Sequence, residues 1–219
     1  MAPADSRGRP AKTADRGSAF GDRTINGCQA AGQIKGLYIY RDLIPEELLD
    51  ALLQHIQKEG WFNPQAGRNQ AMRFGRFPVW LDPLVQLAHA CLPCEFGSRK
   101  PVFDQMIANH YVPGEGLISH VDLLDRFDDG IIVASIQGTC VMEFRPRNVF
   151  RERGENIPQS ESFFLRAGDV ICLSGPARWD WEHGIPARME DLDGFGDIVR
   201  RVERVSITLR KLLPNACFE

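Results

Sequence analysis

The sequence predicts an α+β domain whose β part is a sandwich or jelly roll, with its helices gathered near the N-terminus. Two amphipathic helical stretches fall between Pro45 and Leu92, and six or more short β-rich stretches follow from Val102 onward. Helices and strands never alternate in the βαβ manner of a doubly wound parallel sheet, and no internal repeat is visible. Of the 219 residues, 43% are hydrophobic, enough to build a core and to exclude wholesale disorder.

Each element has its own signal. Residues 1–34 are rich in Gly, Ala, Arg, Asp and Ser without apolar periodicity, and read as a flexible tail ahead of a domain spanning residues 35–219. The first ordered segment is expected at Gly36–Tyr40, a β-branched and aromatic run. A helix follows from Pro45, with Glu46 and Glu47 in its first turn and Leu48, Leu49, Leu52, Leu53 and Ile56 recurring at helical spacing. A second helix is expected from Asp82-Pro83 through Leu84, Leu87 and Ala88 to Leu92. Between them, Arg68–Trp80 carries a glycine, three arginines and aromatics, which points to an irregular flap or hairpin. Strands are expected within Val102–Val112, Ile131–Gln137, Cys140–Phe144, Ser162–Arg166, Asp169–Gly175 and Arg204–Leu212, separated by turn signals such as Val112-Pro-Gly-Glu-Gly116.

Charge and cysteine usage narrow the function classes. The formal net charge of -3 excludes attachment to nucleic acid by bulk charge, so such a role needs a local basic patch. No apolar run reaches the roughly 18 residues of a membrane-spanning helix, so no membrane partner is expected. The N-terminus lacks the apolar core of a secretion signal, and Asp5, Asp15 and Asp22 argue against a mitochondrial presequence. Six cysteines are too few for a disulfide scaffold, and reduced thiols in a nuclear or cytoplasmic monomer are the expectation. Cys91 and Cys94, preceded by His89, lack the second cysteine pair of a closed zinc site and read as structural.

Two of the five histidines draw attention. His120-Val121-Asp122 sets an imidazole and a carboxylate on one face of an extended segment, and His183 follows in RWDWEHGIP. Two imidazoles and one carboxylate form the facial triad of non-haem Fe(II) oxygenases, although a lone H-x-D also arises as a surface Asp beside a turn His. On the segment Arg204–Arg210, Arg204, Ser206, Thr208 and Arg210 share one face and Val205, Ile207 and Leu209 the other. The two arginine Cα atoms lie roughly 20 Å apart on an extended strand, and their guanidinium forks suit the two ends of a small dicarboxylate. Asn109 and Tyr111 share a face of an earlier strand and offer an amide and a phenol. Taken alone, the arginines also fit a solvated edge strand.

The combined pattern resembles the AlkB family of Fe(II)- and 2-oxoglutarate-dependent dioxygenases from Gly36 to Leu213: N-x-Y-x2-G-x-G from Asn109, H-x-D at His120, His-Gly at His183 and R-x5-R from Arg204. The resemblance implies a distorted double-stranded β-helix, a jelly roll with the N-terminal helices packed on the major sheet. It implies that His120, Asp122 and His183 hold Fe(II), and that Asn109, Tyr111, Arg204, Arg210 and Ser206 hold 2-oxoglutarate, with Ser206 standing where many relatives have Asn. It implies a reaction in which 2-oxoglutarate and O2 become succinate and CO2 while a C–H bond is hydroxylated, an N-alkyl group then leaving as an aldehyde.

The implied substrate is an alkylated or modified nucleobase in DNA or RNA. The flap Arg68–Trp80 lies where base-repairing members grip their substrate, so Arg73, Phe74 and Arg76 are substrate candidates, with Trp179 and Trp181 as pocket walls. A surface hairpin with core-filling aromatics is the alternative for the flap, and a solvated loop is expected for Arg145–Arg153. Relatives that demethylate damaged bases often carry an acid two residues after the metal Asp; here that residue is Leu124. The stretch His120–Gly138, followed by Val141–Phe144, is instead similar to the branch that hydroxylates modified wobble uridines in tRNA. Hydroxylation of a protein and a non-catalytic jelly-roll binding module stay open as alternatives.

Overall fold

The structure is a computed structural model and describes residues 28–214. The chain runs β1 (Cys28–Ala30), β2 (Leu37–Tyr40), α1 (Glu46–Lys58), β3 (Gln70–Phe74), α2 (Asp82–Ala90), β4 (Gln105–Tyr111), β5 (Leu117–His120), β6 (Ile131–Gln137) and β7 (Cys140–Pro146). It continues through α3 (Val149–Glu152), β8 (Glu161–Leu165), β9 (Val170–Leu173), α4 (Pro176–Trp179), β10 (Trp181–Ile185), β11 (Glu190–Leu192), β12 (Ile198–Arg200) and β13 (Arg204–Arg210). A seven-stranded antiparallel sheet has the order β1-β2-β9-β6-β13-β4-β3, and a four-stranded sheet the order β5-β10-β7-β8. A hairpin, β11-β12, projects separately. This is the expected α+β jelly roll.

Period-two alternation divides the molecule into three layers. On the large sheet Met106, Ala108, Ile132, Ala134, Val205, Ile207 and Leu209 face α1 and α2, where they meet Leu52, Ile56, Leu84 and Ala88. From the opposite face Ile39, Ile131, Val133, Ile171 and Leu173 pack against Met142, Phe144, Trp181 and Ile185 of the small sheet. Each fully buried aliphatic side chain contributes about 1.5–3 kcal/mol, so these two cores fix which face of β13 and β4 looks into the sandwich. Helix α1 is secured by its leucine stripe and by charges that suit its dipole, Glu46 and Glu47 at the start and His55 and Lys58 at the end. No helix among the described residues is long and apolar enough to cross a membrane.

Several sequence expectations change. The ordered chain begins before residue 35: β1 pairs with β2 along Cys28–Ala30, and Ala31 and Ile34 are buried. A three-residue edge strand beside a glycine-containing turn is too short to give an alternation signal. The rest of the proposed tail, residues 1–27, lies outside the described residues. The flap contains a regular edge strand, β3, paired with β4 from Gln70 opposite Asn109 to Phe74 opposite Gln105. Strands β5, β10, β11 and β12 had no separate signal because each is short and mixed in polarity.

Candidate active site

The metal-type donors come together because β5 and β10 are antiparallel neighbours with His120 directly opposite His183. A register shift between His183 and Ile185 lets the strands approach closely at Gly184, where any Cβ would meet the Ser119 Cα at 2.8 Å. The two imidazoles lie 4.6 Å apart between centroids, and Asp122, just beyond β5, brings its Oδ2 to 3.8 Å from His183 Nε2. One donor atom from each of His120, Asp122 and His183 lies within 4.8 Å of the others. Asp122 and His183 are 5% and 6% exposed. Burial pushes the His183 pKa down to about 4, so its ring is neutral and its lone pair free near neutral pH. His120 Nδ1 lies 2.9 Å from the Ile118 carbonyl, which can only accept, so that nitrogen carries the proton and Nε2 keeps the lone pair.

The second half of the site is built by β13 and β4, whose register sets Arg204 opposite Tyr111 and Ser206 opposite Asn109. Asn109, Tyr111, Arg204, Ser206, Thr208 and Arg210 line one cavity of about 110 Å³ together with His120 and His183. All the expected cofactor-binding side chains therefore converge with the two histidines, and Arg210 joins the third donor through an ion pair to Asp122 Oδ1. Arg204 reaches Ser206 Oγ at 3.2 Å and lies 5.4 Å over the Tyr111 ring. Burial raises the Tyr111 pKa, which keeps its phenol a hydrogen-bond donor. Ile107, Leu117, Val133, Met142 and Ile185 complete an apolar lining.

The side chains fit the groups that the chemistry requires. Among the described residues, Asp122 Oδ2, Arg204 Nε and Arg210 Nε are buried without a hydrogen-bond partner. An acceptor beside two imidazoles suits a divalent cation, and unsatisfied N–H groups of two guanidinium ions suit a dicarboxylate between them.

The substrate candidates divide. On β3 the side chains of Gln70, Met72 and Phe74 share a face, and Gln70 lines the cavity, so Phe74 stands on the face turned to the site without lining the cavity itself. Arg73 does not: the period-two alternation turns it with Ala71 towards the helices, where its guanidinium lies 5.1 Å over Trp61. Arg76 follows the strand and lines a different groove with Phe77, Val79 and Val102. Trp181 is a core residue, edge-on to Phe150, and Trp179 packs at 4.2 Å under the Arg178 guanidinium; neither lines the cavity. Sequence reading missed Gln70 and Met72, which need the β3–β4 register, and Arg178, whose burial no local pattern announces. Cys91 is buried and Cys94 exposed, and neither forms a disulfide.

Comparison with known proteins agrees with this geometry. The family model described as 2OG-Fe(II) oxygenase superfamily matches residues 65–210, more than half of the chain. An Arabidopsis thaliana protein named alkylated DNA repair protein ALKBH8 homolog is 27% identical over 208 residues, covering 84% of this chain and 60% of that one. A Xenopus tropicalis protein named tRNA (carboxymethyluridine(34)-5-O)-methyltransferase alkbh8 is 30% identical over 129 residues, 52% of this chain and 19% of its own length. The chain thus spans under two thirds of both relatives. The solved structure of OsALKBH1 shares the fold with a TM-score of 0.55 at 13% identity, over 80% of this chain and 98% of that one. Fe(II) and 2-oxoglutarate are accordingly the cofactor and co-substrate of an oxidoreductase. With the family match and the donor set in agreement, the chain belongs to the 2OG-Fe(II) oxygenase superfamily and is similar to proteins named as AlkB homologues.

Proposed function

We propose that this dioxygenase oxidises an alkylated or modified nucleobase, with RNA the favoured carrier, and that His120, Asp122 and His183 hold its iron. The observation that carries this reading is the single cavity shared by both histidines, Arg204 and Arg210, beside a strand whose site-side residues Met72 and Phe74 are exposed and apolar. Bound Fe(II) supplies activation of O2 for C–H hydroxylation, driven by decarboxylation of 2-oxoglutarate. The chain's own residues do the rest. Arg204 and Arg210 anchor the two carboxylates, Ser206 and Tyr111 orient the one at the Arg204 end, and Asn109 donates from the neighbouring strand. Ile107, Val133, Met142 and Ile185 exclude water from the reacting atoms. Phe74 and Met72 offer a base an apolar surface, and Leu123 and Leu124, 53% and 43% exposed, follow Asp122 directly with the acid Asp125 one place further. The tRNA enzyme name borne by the frog relative supports a modified-uridine substrate, although the chain spans only 19% of that protein.

One finding favours a second reading, hydroxylation of a protein side chain. Arg73 turns to the helix side and Arg76 lines a separate groove, which leaves the flap with few cations for phosphates beside the cavity. Succinate release with Fe(II), ascorbate and O2, in the presence of methylated DNA, methylated RNA and total tRNA, separates the two. Stimulation by an RNA member that is lost in His120→Ala supports the first reading. Turnover insensitive to every nucleic acid, with stimulation by a protein extract, replaces it with the second.

A further inference from the structure

Arg178 lines no part of the cavity, yet it is one of the largest fully buried side chains, 2% exposed. It sits in α4, on the segment that leads into β10 and His183. A buried guanidinium is costly unless its N–H groups are matched, and here every partner is a main-chain carbonyl of one loop, the loop that carries Asp122. Nη1 donates to the Asp122 carbonyl at 3.1 Å, and Nη2 donates to Leu123 at 3.2 Å and Phe127 at 2.8 Å. Nε approaches the Asp128 carbonyl at 3.4 Å, and the Trp179 ring covers the guanidinium face at 4.2 Å. The tie is reciprocated: the Gly175 N–H at the head of α4 lies 3.0 Å from each carboxylate oxygen of Asp129, in the same loop.

Two segments far apart in sequence are thereby stitched together, one bearing Asp122 and the other leading to His183. The β5–β10 pairing fixes His120 against His183 but stops at His120, so it leaves Asp122 to its loop. We propose that Arg178 is a positioning residue for the metal site: it holds the Asp122 main chain against α4, and so sets the 3.8 Å separation between the Asp122 and His183 donor atoms. This rests on the assignment of the triad in the proposed function. Arginine suits the task because its rigid planar fork engages several carbonyls at once, whereas a lysine ammonium is a compact charge on a flexible stem. The same grip holds the main chain of Leu123, whose side chain is exposed.

The test measures Mn(II) affinity of the metal-free full chain by titration calorimetry for wild type, Arg178→Lys, Arg178→Met, Asp129→Ala and Asp122→Ala. Circular dichroism and the metal-free melting temperature identify the variants that fold. Groups that orient metal ligands typically alter affinity about 10–100-fold when removed. Folded Arg178→Lys is expected to bind Mn(II) at least about tenfold more weakly, with Asp129→Ala affected less and Asp122→Ala most. At saturating Mn(II), 2-oxoglutarate affinity of Arg178→Lys stays at the wild-type level, a split that general loosening of the fold would not give. If Arg178→Met fails to fold, Arg178→Lys and Asp129→Ala decide. Wild-type Mn(II) affinity in both, with Asp122→Ala impaired, overturns the role of Arg178 and leaves the triad intact. Wild-type affinity in Asp122→Ala overturns the triad and this inference with it.

Discussion

Asp122 and Asp191 are both buried carboxylates paired with arginines, and their surroundings differ in one respect. Asp191 has every oxygen engaged: Arg201 donates twice, at 2.6 and 2.9 Å, Arg188 donates at 2.7 Å and the Val141 N–H at 3.1 Å. Arg201 in turn donates to the carbonyls of Glu115 and Pro186. Asp122 pairs through Oδ1 with Arg210, while Oδ2 stays buried without a hydrogen-bond partner beside His183. The first cluster is closed and locks the base of the β11–β12 hairpin to β7. The second keeps a lone pair and two guanidinium N–H groups in hand, an arrangement that costs stability and suits the binding of a cation and a dicarboxylate.

Mutations sharpen that contrast. Asp191→Asn is expected to cost the most stability, about 3–5 kcal/mol, because it leaves Arg201 buried without its counter-charge. Denaturant unfolding measures this, and Mn(II) affinity should not follow. The cluster also dictates a pH dependence. Burial opposes the charge, but the bonds from Arg201 and Arg188 outweigh it and hold the carboxyl below its ordinary 3.8. A depressed folded-state pKa contributes stability that is complete above that value and is lost as pH falls below it. The acid limb of the melting-temperature profile should therefore flatten in Asp191→Asn; an unchanged limb would mean that other groups set it.

Ile207→Ala comes next, at about 2–5 kcal/mol, from the apolar face of β13. It should leave the 2-oxoglutarate requirement close to wild type. Arg204→Ala, one strand face away, reverses the pattern. Losing a charge-assisted bond worth about 1.5–3 kcal/mol raises the 2-oxoglutarate KM about tenfold or more, with little change in unfolding midpoint. If both variants lost stability alike, the two faces of β13 would not divide structure from function. The smallest effects belong to the flap: Phe74→Ala should weaken substrate binding by about 1–3 kcal/mol if a base stacks there, and Arg73→Ala should leave it unchanged. Kinetics on the stimulating substrate compare the two, and a larger effect for Arg73 would contradict the facing of β3.

What could be read from the sequence follows from how local each signal is. The donors and arginines were legible because H-x-D and R-x5-R use the strand period of two, which sends Arg204, Ser206, Thr208 and Arg210 to one side whatever surrounds them. Arg73 was a candidate only through the position of the flap as a whole; its facing is set by the pairing of β3 with β4 and not by the strand's own mixed composition. Trp181, named as a pocket wall for its nearness to His183, faces inward but packs edge-on to Phe150 in the core, and the cavity ends before it. Arg178 and Asp191 are invisible locally, since only the tertiary fold supplies the carbonyls and guanidinium groups that make their burial affordable.

The most direct measurement is binding of 2-oxoglutarate to the Fe(II)-loaded chain in the absence of O2, for wild type, Asp122→Ala and Arg204→Ala. The expected result is binding that requires Fe(II) in wild type, loses that requirement together with most of its affinity in Asp122→Ala, and weakens at undiminished metal affinity in Arg204→Ala. Fe(II)-dependent binding at wild-type strength in both variants would contradict the assignment of the cavity.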